Sequence, residues 1–103
     1  MPKEIEPRDV AERMRHGAVL LDVRDPDEWT ESHVRGAIHI PLGELQGRIA
    51  EVPTGLELIC MCRSGRRSEK ACAIVGEVRP SAQAINMTGG ILRWVEQGLP
   101  VES

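Results

Sequence analysis

A cysteine followed by a short, arginine-rich loop is the most reactive combination of residues in this chain. Cys62 closes an apolar run that begins at Leu58 and has the length of a buried strand. Gly65 follows three residues later, and a helical pattern begins at Ser68. A loop that leads from a strand into a helix directs backbone amides and the positive end of the helix toward one point. Because such surroundings favour the thiolate, we predict that Cys62 is a nucleophile.

The loop after Cys62 is also predicted to bind an anion. Successive backbone N–H groups can form a concave anion site without any charged side chain. Arginines add positive charge at this point of a chain whose formal net charge is −3. The residues that we expect to bind an anionic substrate are Arg63, Ser64, Gly65, Arg66 and Arg67.

The other two cysteines are interpreted as small buried apolar residues. Side chains alternate between the faces of a strand, so Cys60 and Cys62 point the same way, but Cys60 lies inside the apolar run. Cys72 falls within the following helical pattern, and a free cysteine is most often simply buried. No second pair of ligands stands at a suitable distance from Cys60 and Cys62, so we expect no metal site.

A cysteine phosphatase would require Cys-x5-Arg with a glycine three residues after the cysteine. Counted from Cys62 the glycine is in place, but the sixth residue is Ser68 instead of arginine. Counted from Cys60 the sixth residue is Arg66, but the third is Arg63 instead of glycine. The phosphatase pattern therefore fails in both frames.

Composition limits the remaining classes of function. The 103 residues contain no Phe or Tyr and only two Trp, which argues against base stacking, and the net charge gives no reason to expect nucleic-acid binding. The N-terminus has no signal-peptide core, and no apolar run approaches the length of a membrane span. The chain has three cysteines, and their spacing is not that of a disulfide-bonded secreted domain. We therefore expect reduced thiols in a cytoplasm. We expect one cytoplasmic domain over residues 1–103, with no cofactor and no membrane partner.

Strand and helix patterns alternate about five times along the chain. Short apolar runs without alternation indicate strands covered on both faces. Asp25-Pro26 is typical of a helix start, and Thr88 can cap the last helix. Apolar residues at helical spacing predict a helix face turned toward the core, and they are Ala71, Ile74, Val75 and Val78. This order predicts an α/β fold of three layers, a mainly parallel sheet of about five short strands with helices on both faces. The strands are expected at 3–6, 18–23, 37–40, 58–62 and 84–87, and the helices after Pro7, Asp25, Pro41, Ser68 and Thr88.

The same order of motifs resembles rhodanese-like domains, whose active-site loop is similar to residues 62–68. The resemblance covers about residues 5–102. Its motifs here are Leu20-Leu21-Asp22-Val23-Arg24, Glu28-Trp29, His33-Val34-Arg35-Gly36-Ala37-Ile38-His39-Ile40-Pro41, Gly89-Gly90-Ile91, Trp94 and Gly98-Leu99-Pro100-Val101.

The resemblance implies a single-domain thiosulfate sulfurtransferase in which Cys62 carries a persulfide. A small anionic donor such as thiosulfate would supply the sulfur, and cyanide, a thiol or a protein would accept it. Asp22, Arg24 and Ser68 would support the loop. Two alternatives stay open: a sulfur carrier that serves a partner protein with little free turnover, and a cysteine phosphatase.

Overall fold

Five short strands form one parallel sheet, which confirms the predicted fold class. The computed structural model describes residues 3–103, so Met1 and Pro2, which the predicted domain includes, lie outside the described residues. The strands are β1 Lys3–Ile5, β2 Val19–Asp22, β3 Ile38–His39, β4 Leu58–Met61 and β5 Ala84–Met87. The helices are α1 Pro7–Arg15, α2 Pro26–Glu31, α3 Leu42–Leu45, α4 Arg66–Val78 and α5 Gly90–Glu96, with a 3-10 helix at Gln46–Glu51.

The strand that leads into the cysteine loop lies at the centre of the sheet. The strand order is β1-β5-β4-β2-β3, and every pairing is parallel. All four residues of β4 are buried, because helices cover both faces of the sheet. The carboxyl ends of β2, β3 and β4 open on the same side, where open parallel sheets bind their ligands.

Two apolar clusters fill the space on either side of the sheet. Alternate residues of β4 enter different clusters, as the strand period of two requires. Leu58 and Cys60 share one cluster with Cys62, and Ile59 and Met61 belong to the other. Cys60 and Cys62 are thus on the same face, as the sequence predicts. Both clusters are almost wholly aliphatic, with Trp94 as the single buried aromatic side chain of the described residues.

The structure corrects three local predictions. Helix α4 begins at Arg66, two residues before the predicted start, because Gly65 adopts a φ of 109° and lets the chain turn directly into the helix. Val78 was expected in the core but is 42% exposed, since it stands at the last turn of α4. Thr88 does not cap α5. Its hydroxyl donates to Glu4, and Gly89 occupies the cap position with a φ of 74°.

Within residues 3–103 no helix combines the length and the apolar character that a membrane crossing needs.

Candidate active site

The sulfur of Cys62 lies at the carboxyl end of the central strand, with hydrogen-bond donors beside it. The amide of Gly65 donates to Cys62 Sγ at 3.0 Å, and Ser68 Oγ lies 3.4 Å from the same sulfur. Ser68 comes from the first turn of α4, so the helix N-terminus faces the thiol. Cys62 is only 1% exposed, which restricts access to small reagents. This arrangement holds a sulfur anion between backbone and hydroxyl donors.

Helix α5 holds the cysteine loop in place from the other side. The amide of Ile91 donates to the carbonyl of Cys62 at 2.9 Å, and the amide of Leu92 donates to that of Arg63 at 3.3 Å. Gly90 makes this close approach possible, because a Cβ at that position would lie 2.5 Å from the carbonyl oxygen of Cys62. The Gly89-Gly90 pair therefore lets the start of α5 dock against the backbone of the loop.

Asn86 is a site residue that the sequence analysis missed. It is 2% exposed on β5, where its Nδ2 donates to the carbonyl of Gly65 at 3.1 Å and its Oδ1 lies 2.5 Å from Ser68 Oγ. One side chain thereby contacts both residues whose groups surround the sulfur of Cys62. The sequence does hold a signal for Asn86, because it is a polar residue inside an apolar strand. Buried polar groups need a hydrogen-bond partner, so such a residue indicates a specific contact.

Opposing influences act on the pKa of Cys62. Burial raises the pKa of this thiol, while the Ser68 hydroxyl and the amides of Ser68, Gly65 and Ser64 lower it. The donors prevail, and the pKa of Cys62 lies below the usual value of a free thiol. The pKa of Cys60 moves the opposite way, because a hydrogen bond with Cys72 and burial both raise it. At a given pH a larger fraction of Cys62 than of Cys60 is therefore thiolate, which is the nucleophilic form.

The loop arginines fall into two groups. Arg63, Ser64 and Arg66 are exposed. Within residues 3–103 neither Arg63 nor Arg66 has an ion-pair partner. Arg67 is instead committed to Glu28 of α2, with contacts of 2.7 and 3.0 Å. Arg63 and Arg66 are thus available to an anion, whereas Arg67 joins α4 to α2 beside the cysteine loop.

Asp22 and Arg24 form a buried ion pair at the end of β2. Arg24 is 3% exposed and Asp22 is 0% exposed. The guanidinium donates to the carboxylate through Nε at 3.0 and 3.1 Å and through Nη2 at 2.8 Å. The same guanidinium donates to the carbonyl of Ser32 at 2.7 Å. The pair therefore ties the link after α2 to the end of the sheet where Cys62 lies.

Histidines near this end of the sheet are held by structural contacts. The rings of His33 and His39 stack on Trp29, with centroid distances of 3.9 and 4.8 Å. His33 Nδ1 lies 2.9 Å from the carbonyl oxygen of Trp29, and His39 Nε2 lies 2.8 Å from that of Arg24. Among residues 3–103 there is no cluster of three or more His, Cys, Asp or Glu side chains suited to a metal ion.

Known proteins are similar to this chain in sequence and in fold. The rhodanese-like domain family matches residues 6–97. A sulfurtransferase of Allochromatium vinosum is 30% identical over 103 residues, which are 98% of this chain and 95% of that protein. A thiosulfate sulfurtransferase of Ectopseudomonas mendocina is 28% identical and covers 89% of this chain and 84% of its own length. In other relatives the matched segment is only 25% to 40% of a longer protein.

A solved structure agrees over almost the whole chain. The rhodanese-related protein of Thermoplasma volcanium superposes with a TM-score of 0.88 and 27% identity, and the match covers 97% of both chains. The motifs that resemble the family thus lie in the family's fold, with the cysteine loop at the end of the central strand. The chain belongs to the rhodanese-like domain family.

Proposed function

We propose that this chain is a sulfurtransferase that carries sulfur as a persulfide on Cys62. Membership of the rhodanese-like family and the similarity to proteins named as sulfurtransferases support a role in sulfur transfer. The observation that carries the proposal is the position of the Cys62 sulfur, 3.0 Å from the Gly65 amide at the start of a helix. These donors stabilise a sulfur anion on the thiolate and, after reaction, on the added sulfur.

In the first step the Cys62 thiolate attacks the outer sulfur of thiosulfate. A bond forms between the two sulfur atoms, and the bond between the outer sulfur and the sulfonate group breaks. Its electron pair leaves with sulfite, so the anionic charge is conserved and no proton donor is required. Arg63 and Arg66 are exposed beside the loop and attract the dianionic donor.

In the second step an acceptor regenerates the thiolate. Cyanide, or a thiolate of a small molecule or a protein, attacks the terminal sulfur of the persulfide. The sulfur–sulfur bond breaks, and its electron pair returns to Cys62. The two steps form a double-displacement cycle with a covalent intermediate.

Intact mass after incubation with thiosulfate tests the proposal directly. The native protein should gain the mass of one sulfur atom and lose it again on addition of cyanide, whereas Cys62→Ser should gain nothing. Cys60→Ala and Cys72→Ala are matched controls, because both remove a buried thiol that lies outside residues 62–68, and both should still gain the sulfur. No gain in a native protein whose Cys62 reacts with iodoacetamide would contradict thiosulfate as the donor.

The same samples separate the alternatives that the sequence leaves open. A sulfur carrier would form the persulfide but release little thiocyanate with cyanide, and it would pass its sulfur rapidly to an added protein thiol. A cysteine phosphatase would hydrolyse an aryl phosphate and gain no sulfur. Native protein that forms the persulfide and turns over thiosulfate and cyanide repeatedly would support the sulfurtransferase.

A further inference from the structure

The hydroxyl of Ser68 has two candidate acceptors for one proton. Ser68 Oγ lies 2.5 Å from Asn86 Oδ1 and 3.4 Å from Cys62 Sγ. A serine hydroxyl carries a single hydrogen and can donate it to only one of the two at a time. Ser68 is 0% exposed, so no bulk water stands in for the missing partner.

The orientation of the Asn86 amide is fixed by its other contact. Nδ2 donates to the carbonyl of Gly65 at 3.1 Å, and the reversed amide would place two carbonyl oxygens against each other. Oδ1 must therefore face Ser68, and because Oδ1 has no hydrogen, the hydroxyl must be the donor. While the hydroxyl donates to Asn86, Ser68 Oγ turns a lone pair toward Cys62. This lone pair can accept a hydrogen bond from a neutral S–H group.

We propose that Asn86 is a positioning residue of this site, which competes with the Cys62 sulfur for the proton of Ser68 while anchoring the Gly65 loop. When Cys62 Sγ is a thiolate, the hydroxyl turns toward it and Asn86 Oδ1 gives up its donor. In the persulfide the negative charge lies on the outer sulfur, and Sγ is neutral. When the sulfur is neutral, the hydroxyl returns to Asn86. The pair of Ser68 and Asn86 thus adjusts to the charge on sulfur at each step of the cycle.

A double-mutant cycle on the ionisation of Cys62 tests this competition. The readout is the rate of Cys62 alkylation by iodoacetamide as a function of pH, with the modified cysteine located by peptide fragmentation. The proteins are native, Ser68→Ala, Asn86→Leu and the double variant. Leucine keeps approximately the volume of asparagine but offers neither acceptor nor donor. The ionisable groups that interact with Cys62, the Arg67 guanidinium and the Cys60 thiol, are the same in all four proteins.

In the native background Ser68→Ala should raise the apparent pKa of Cys62 only slightly, because the proton is shared with Asn86. In the Asn86→Leu background sulfur is the sole acceptor, so the same substitution should raise the pKa further. We expect the two effects to differ by at least about 0.5 pH unit, which is roughly a threefold difference in alkylation rate below the pKa. The loss of the Gly65 anchor is common to both proteins that carry Asn86→Leu, and it cancels in the comparison.

Equal effects of Ser68→Ala in the two backgrounds would overturn the proposal. If Asn86→Leu does not fold, as judged by its thermal transition, Asn86→Ala serves in the same cycle, since it also removes both polar atoms. The proposal rests on Cys62 as the reactive residue of the proposed function, but alkylation requires no sulfur transfer. Coupling without persulfide formation would refute only the sulfurtransferase, and persulfide formation without coupling would refute only the role of Asn86.

Discussion

The ion pair between Glu28 and Arg67 predicts a specific pH dependence of stability. Its side chains are 22% and 32% exposed. The hydrogen bonds from Arg67 are the main reason that the pKa of Glu28 falls from 4.5 to about 2, with burial opposing and the Asp25 amide assisting. A pKa difference of one between the folded and unfolded states corresponds to about 1.4 kcal/mol, so the full lowering would be worth about 3 kcal/mol. Partial exposure screens the pair, and we expect about 1–2 kcal/mol.

Glu28→Gln should therefore lower the free energy of unfolding by about 1–2 kcal/mol at pH 7. The variant keeps one oxygen that can accept the amide of Asp25, but it loses the negative charge and one of the two acceptors for Arg67. Because the folded-state pKa is depressed, the stabilisation is complete above pH 4.5 and disappears as the pH falls toward 2. The difference between native and variant should shrink over that interval.

Urea unfolding monitored by Trp fluorescence, repeated from pH 7 down to pH 3, measures both quantities. Glu51→Gln is the matched control, because Glu51 forms an exposed ion pair with Arg48 at 2.8 Å and should change stability little. Two results would refute the reasoning: equal stability of native and Glu28→Gln at pH 7, or a difference that stays constant as the pH is lowered.

Further predictions concern the loop and its supports. Gly90→Ala should lower the melting temperature and abolish persulfide formation, because the new methyl group meets the loop backbone; a variant that still gains sulfur at the native rate would contradict this. Arg24→Met should cost about 3–5 kcal/mol in urea unfolding, because it leaves the buried Asp22 carboxylate without its guanidinium partner; a loss under about 1 kcal/mol would count against it. Arg63→Ala and Arg66→Ala should each raise the KM for thiosulfate severalfold with little change in kcat, and less so at high salt; an unchanged KM would show that these charges do not recruit the donor.

The order of elements and the place of Cys62 could be predicted because their signals are local. The apolar run from Leu58, the glycine after the cysteine and the following helical pattern all begin within a dozen residues. Parallel pairing then follows from the alternation of strands and helices, since consecutive parallel strands need a crossover connection. A sequence can indicate such features without knowledge of distant neighbours.

The partners of individual side chains could not be predicted in this way. Asn86 meets Ser68 from a strand 18 residues away, and Arg67 meets Glu28 across 39 residues. Arg67 looks like Arg66 in the sequence, and only the ion pair of Arg67 with Glu28 distinguishes their roles. Val78 fits the helical period, but it stands in the last turn of α4 and is exposed. Each of these features depends on which residues are close in space, and the periodicity of the sequence carries no information about that.

Because α5 docks on the cysteine loop, the site can be completed only late in the synthesis of the chain. The amides of Ile91 and Leu92 hold the carbonyls of Cys62 and Arg63, and Asn86 reaches Gly65 from β5. A growing chain that has emerged only as far as α4 already carries Cys62, Gly65 and Ser68, but it lacks the hydrogen bonds from β5 and α5 that hold the loop from the other side. The supports of the loop are therefore complete only after the last quarter of the chain has folded onto the sheet.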